Sequence, residues 1–131
     1  MTDALLDTNV FITAPSRILG RIDHYRASTI VRSELEHGCR LMLQDNGRAE
    51  EASIRLAMLT LLDQLSRFWV NFDTDAAIEF GKFAGLDTTR LRAKDALIAA
   101  HSLSLSLPLI TADKRFSIYP RLKVLNPDSG A

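Results

Sequence analysis

Four acids are placed where they could act together. Asp7 follows the apolar run Ala4-Leu5-Leu6, Glu34 follows Ile30-Val31, Asp95 opens the run Ala96-Leu97-Ile98-Ala99-Ala100, and Asp113 follows Leu109-Ile110-Thr111. Each alone has an ordinary explanation. Asp7 and Asp113 are turn formers, and Glu34 and Asp95 suit the positive end of a helix dipole. As a group they behave differently, because two carboxylates about 4 Å apart repel by roughly 4 kcal/mol at an effective dielectric near 20. A convergent set therefore calls for a cation, or for a proton on one member. With no histidine among them, these hard oxygen donors suit Mg²⁺ or Mn²⁺ better than zinc. Such an ion binds phosphate oxygens, lowers the pKa of a bound water and steadies a leaving oxygen, which are the needs of phosphodiester hydrolysis. Nucleic acid is the expected substrate class, and whether one ion or two is held stays open.

The elements that must position these acids follow from pattern. Ala4-Leu5-Leu6 reads as a short buried strand, with Val10-Phe11-Ile12 continuing its apolar character, and Pro15-Ser16 starts a brief helix to Gly20. Residues 26–31 suit a second strand, and Ser33 is a candidate N-cap for a helix that carries Glu34 and stops near Asp45-Asn46-Gly47. Residues 50–68 form the longest helical pattern, a packing helix with Ile54, Ala57, Leu61, Leu62 and Leu65 at helical spacing. A strand over 68–72 precedes a helix capped by Asp73-Thr74-Asp75 that runs through Phe83 and ends with help from Gly85. A helix over 92–106 leads to strands at 108–111 and 122–125, and residues 126–131 read as a loose tail.

Short strands separated by helices imply an α/β fold, a three-layer α/β/α sandwich about a mainly parallel sheet of about five strands with right-handed crossovers. In such sheets ligands gather outside the carboxyl ends of the strands, and all four acids fall toward that end. The length of 131 residues and 47% hydrophobic content fit a single domain, with its core over residues 3–125.

Composition narrows the function further. Sixteen basic residues balance sixteen acidic ones, so there is no overall positive field and any nucleic-acid contact must be local. An acidic site that turns positive when it holds a metal reconciles that balance with an RNA substrate. The lone Cys39 excludes an internal disulfide, and no Cys/His spacing matches zinc. No window approaches the roughly 18 apolar residues of a membrane span, and Met1-Thr2-Asp3 carries an acid where a secretion signal carries cations, so the expected location is the cytoplasm.

Other residues invite weaker readings. Arg92, Lys94, Lys114 and Arg115 flank two of the acids and could meet substrate phosphates, or be ordinary solvated charges. His24, His37 and His101 share no ligand spacing and read as structural. Trp69, within Phe68-Trp69-Val70-Asn71-Phe72, suits the core better than base stacking, and Glu36 lies two positions from Glu34 on another helix face.

The four motifs together resemble those of PIN-domain nucleases, most closely the VapC-type toxins of toxin-antitoxin pairs, over nearly the whole chain. Leu5-Leu6-Asp7-Thr8-Asn9-Val10 resembles the family's opening strand and first acid. Ser28, Glu34 and Gly38 match a second motif in which Ser precedes Glu by six positions and Gly follows it by four. Asp95-Ala96-Leu97-Ile98-Ala99-Ala100 is similar to the third, and Leu109-Ile110-Thr111-Ala112-Asp113 with Phe116 to the last. The resemblance implies a metal-dependent endoribonuclease with Mg²⁺ or Mn²⁺ held by Asp7, Glu34, Asp95 and Asp113, and with Asn9 and Thr111 orienting carboxylates or phosphate. It also implies a homodimer and a cognate antitoxin. An RNA-processing nuclease without an antitoxin and a silent binding module are the alternatives. Two departures stand out: the stretch between Phe83 and Asp95 is shorter than in many members, and Arg32 holds a position more often uncharged, where it would touch substrate or be solvated. A haloacid-dehalogenase-type phosphotransferase needs a second Asp two residues after the first, where this chain has Asn9, and a receiver domain needs paired acids near strand one.

Overall fold

The computed structural model describes residues 3–86 and 92–127. Five strands, β1 (Ala4–Leu6), β2 (Tyr25–Ser28), β3 (Trp69–Val70), β4 (Leu109–Ile110) and β5 (Val124–Leu125), form one sheet in the order β3-β2-β1-β4-β5. Every pairing is parallel. The first two connections step toward β3, whereas the third returns across the sheet to place β4 beside β1. With right-handed crossovers this reversal puts the helices before and after it on opposite faces. The switch point lies between β1 and β4, and it is at the carboxyl edge of such a point that open parallel sheets gather their ligands.

Among the described residues six α-helices join the strands: α1 (Thr8–Thr13), α2 (Pro15–Gly20), α3 (Thr29–Leu43), α4 (Ala49–Asp63), α5 (Thr74–Gly81) and α6 (Ala93–Leu105). Leu5, Leu6, Leu109 and Ile110 are buried to within 1% of their surface, as central parallel strands covered on both faces must be. Around them pack Val10, Ile18, Val31, Leu59, Ile98 and Phe116.

Several boundaries differ from the sequence reading. Val10-Phe11-Ile12 does not continue the first strand; it lies in α1, because Asp7 caps that helix through its side chain and turns the chain at the strand end. The second strand stops at Ser28, not at 31, and Ser28 rather than Ser33 is the N-cap of α3, its Oγ accepting from Ile30 N at 3.0 Å. Ser33 sits inside the helix, where its hydroxyl donates to the Ile30 carbonyl at 2.7 Å. Tertiary packing overrides the β preference of Thr29-Ile30-Val31, since Val31, Leu35, Cys39 and Met42 form the buried stripe of α3. Ser28→Ala should cost about 1 kcal/mol of stability, read as a lower urea midpoint at constant slope; an unchanged midpoint would remove the cap from the account.

The helix expected over 50–68 ends at Asp63, and its buried face is narrower than its apolar pattern. Ala52, Leu59 and Leu62 are buried, whereas Ile54 and Leu61 stay about two-thirds exposed at 66% and 64%. Among the described residues no helix is long and apolar enough to cross a membrane. The expected tail falls largely, and the short stretch before Asp95 partly, outside the described residues.

Candidate functional site

The site is built on the two strands that flank the switch point. Asp7 directly follows β1, and its backbone N–H still donates to Ile110 O at 3.0 Å, so the sheet itself fixes the residue. Its Oδ1 accepts from Thr8 N at 2.8 Å and its Oδ2 from the Thr111 hydroxyl at 2.7 Å, across the gap between β1 and β4. Thr111 is a hub. The same hydroxyl oxygen accepts from Asn9 Nδ2 at 3.3 Å and from Asp113 N at 3.0 Å. Asn9 and Thr111 thus reach the first acid as a linked pair.

Glu34 lies in the second turn of α3, one turn later than the sequence reading had it, because the helix starts at Thr29. Its Oε1 accepts from the Thr8 hydroxyl at 3.0 Å. Thr8 is absent from the candidate residues read in the sequence, although its position immediately after the first acid, at the start of α1, is the signal that could have found it. Asp95 occupies the first turn of α6 and is 4% exposed, and its Oδ2 is buried without a hydrogen-bond partner. Helix α3 touches α6, bringing Glu34 and Asp95 to the same opening. Arg92 stands beside both, its guanidinium 3.9 Å from Glu34 Oε2 and 3.8 Å from Asp95 Oδ2, while remaining largely exposed.

Electrostatics reports the same convergence. Burial pushes the Asp7 carboxyl up to about 6, against the hydrogen bonds from Thr111 and Thr8, and the charges of Asp95 and Glu34 raise it further. Asp113 differs. It caps the 3₁₀ turn at Lys114–Ile118, and its carboxylate closes on the Arg115 guanidinium with Nη2 2.6 Å from Oδ2, which holds its pKa below the usual carboxylate range. Asp7, Glu34 and Asp95 therefore form an inner group, and Asp113 is a rim acid already neutralised by its neighbour. Among the described residues no three His, Cys, Asp or Glu side chains stand close enough together to hold a metal ion between them.

The cations proposed from sequence separate into two sets. Arg92, Lys114 and Arg115 are exposed, Arg92 beside Glu34 and Asp95 and Arg115 on Asp113. Arg32 is elsewhere, neither solvated nor facing the acids: it binds Asp63 through Nε and Nη2 at 3.0 and 2.9 Å, meets Glu36 at 2.8 Å and lies 5.8 Å over the Trp69 ring. That clasp ties α3 to α4 and β3, and it also occupies Glu36, which is thereby no substitute for Glu34. Trp69 stacks on Phe11 at 5.8 Å and belongs to the packing. His101 is fully buried against Phe72, and burial lowers its pKa and keeps it neutral.

A doubly wound parallel sheet with carboxylates gathered toward its switch point defines an α/β protein with its candidate site at the carboxyl edge of the sheet. The chain belongs to the PIN domain family, whose model matches residues 4–122. Solved structures similar to it include VapBC2 from Rickettsia felis bound to a promoter DNA fragment, at 22% identity and TM-score 0.73 over 95% of this chain and 98% of that one. FitAcB from Neisseria gonorrhoeae matches at 27% identity and TM-score 0.69 over 95% and 97% of the two chains. VapBC-5 of the toxin-antitoxin systems of Mycobacterium tuberculosis matches at 24% and 0.69 over 96% and 99%. No curated protein matches the sequence.

Proposed function

We propose that the chain is a divalent-metal-dependent endoribonuclease, the toxin of a toxin-antitoxin pair, acting in the cytoplasm as one PIN domain. The observation that carries this reading is the inner group of Asp7, Glu34 and Asp95, one member raised to about 6 and another with a buried oxygen that accepts no hydrogen bond. Carboxylates whose charges raise a neighbour's pKa are relieved by a hard cation, and Mg²⁺ is commonly bound by one or two carboxylates while keeping several waters, so an open arrangement fits it. Asp7, Glu34 and Asp95 would hold the ion, with Asp113 contributing from the rim. When bound, the ion supplies an acidified water and charge stabilisation for phosphodiester hydrolysis.

The chain's own residues supply the rest. Thr111 and Thr8 fix the carboxylate orientations of Asp7 and Glu34 through their hydroxyls. Asn9 holds Thr111 from the other side. Arg92, Lys114 and Arg115 neutralise phosphates of an entering RNA strand. Because the protein as a whole is uncharged, that attraction is local and falls with salt. Thr8→Val keeps the shape and removes the bond to Glu34; metal-dependent cleavage should drop about tenfold, as for loss of a group that orients a ligand. Cleavage by Thr8→Val at the wild-type rate across a Mg²⁺ titration would strike Thr8 from the site.

A protein partner is supported by a separate feature. A groove of about 480 Å³ beside α1 and α4 is lined by Phe11, Ile12, Pro15, Ile54 and Met58. Ile12 and Ile54 are half or more exposed there, the kind of surface that marks an interaction site. An antitoxin chain is the reading favoured by the similar toxin-antitoxin structures, and a homodimer of this chain is proposed alongside it. The function is tested by incubating purified protein, freed of any partner, with total cellular RNA and Mg²⁺ or Mn²⁺, and mapping the ends by sequencing. Discrete cuts lost in EDTA and in Asp7→Asn are expected. A folded protein that cuts RNA with no metal would overturn the reading, and cutting confined to DNA would reassign the substrate.

A further inference from the structure

An opening of about 360 Å³ lies at the carboxyl edge of β4 and β5, lined by Thr111, Asp113, Lys114, Ser117, Val124 and Asn126. It shares a wall with the inner acid group. The Thr111 N–H donates to Leu125 O at 3.0 Å, which seats Asn126 at the end of β5 beside it, while the Thr111 hydroxyl reaches the other way to Asp7 at 2.7 Å. Thr111 thus stands between this pocket and the first carboxylate. The lining is chemically mixed: Val124 gives a half-buried apolar surface, Ser117 and Asn126 an exposed hydroxyl and carboxamide, and Lys114 an exposed cation. The acid in this lining, Asp113, is closed on Arg115 at 2.6 Å, so its charge is already met there.

A bare anion would use Lys114 and leave the rest of the lining idle, whereas a planar heterocycle attached to a phosphate uses all of it. A volume of this size falls within the roughly 300–1,000 Å³ of small-molecule pockets. Single-stranded RNA is recognised largely through bases that leave the stack, lie against a side chain and hydrogen-bond along an edge. The Asn126 carboxamide carries two donor hydrogens and an acceptor, the pattern such an edge requires. We propose that this pocket is a base subsite for the nucleotide next to the scissile phosphate, with Val124 against the base, Asn126 and Ser117 on its polar edge and Lys114 on its phosphate. Asn126 then sets a sequence preference at one position beside the cut. This rests on the reading that the inner acids cut RNA.

The test has two arms. In EDTA, the ¹⁵N-labelled full chain is titrated with AMP, GMP, CMP, UMP and inorganic phosphate, following the amides of Ser117 and Asn126 by NMR. One nucleotide should shift them more strongly than the other three and than phosphate, and Asn126→Leu should weaken that binding about five- to tenfold, the scale of a net polar contact. Equal shifts from all four nucleotides and from phosphate would leave only an anion contact at Lys114 and overturn the subsite. With Mg²⁺ and total cellular RNA, cuts should favour that same base at one flanking position, and the ratio of favoured to other cuts should fall about five- to tenfold in Asn126→Leu. Asn126→Asp, which exchanges the amide donors for an acceptor, should move the preference to a different base, which misfolding does not do. An unchanged preference in both variants would overturn the inference while metal-dependent cutting stands. Base-selective shifts without any RNA cleavage would keep the base pocket and overturn the nuclease reading.

Discussion

Asp7→Asn is expected to reduce RNA cleavage by at least about a hundredfold and at the same time to stabilise the protein when no metal is present. The first effect follows from its place at the centre of the inner group, since loss of a direct ligand should exceed the roughly 10- to 100-fold typical for a group that only orients one. The second follows from burial. The Asp7 carboxyl rises from 3.8 to about 6 in the folded chain, so folding favours its neutral form. The stability tied to that preference is fully present below about pH 4 and is lost as pH rises through about 6. Two units correspond to about 3 kcal/mol, to order of magnitude. In EDTA, wild type and Asp7→Asn should therefore have similar thermal midpoints near pH 4, and the variant should be more stable at pH 7. Adding Mg²⁺ should restore wild type and leave the variant unmoved. Parallel midpoint curves from pH 4 to pH 8 would show that the buried charge is not stored in the fold.

Phe116→Ala should be the most damaging single change to stability. Phe116 has no exposed surface, heads the fully buried side chains by volume and packs on Tyr119. Truncating such a ring typically costs about 3–5 kcal/mol, a large share of the roughly 5–15 kcal/mol that holds a domain together. For a chain of this size the thermal midpoint should fall by roughly 10–20 °C. Ile118, two residues on and 40% exposed, provides the control. Ile118→Ala should move the midpoint little. The same loss from both would mean that the turn as a whole, not the buried ring, is being measured.

What could be read from the sequence divides along physical lines. The five strands and their parallel pairing were legible because Leu5-Leu6 and Leu109-Ile110 are apolar runs bounded by polar turns, the mark of strands covered on both faces. Asp7 and Asp95 were legible as acids because one follows a strand and the other lies in the first turn of a helix, whereas Glu34 was read one turn too early. Three-residue runs were not: Val10-Phe11-Ile12 carries no period that separates strand from helix, and only the Asp7 side chain bonded to Thr8 N decides it. Ser28 and Ser33 are alike as candidate caps in sequence, and which one meets a free N–H depends on where the β2 ladder stops. Arg32 could not be assigned because its partner Asp63 is 31 residues away, on another helix. Asp113 was legible as an acid at the sheet edge, but its closure on Arg115 is a matter of turn geometry two residues on. The difference between inner and rim acids has the same origin.

The hydrogen bond from Thr111 to Asp7 joins residues 104 apart, the first strand to the fourth. A growing polypeptide that carries Asp7, Thr8 and Glu34 but has not yet released β4 lacks the partner that holds the first carboxylate, and lacks the neighbouring strand that seats it. The first carboxylate is therefore seated only once β4 has paired with β1.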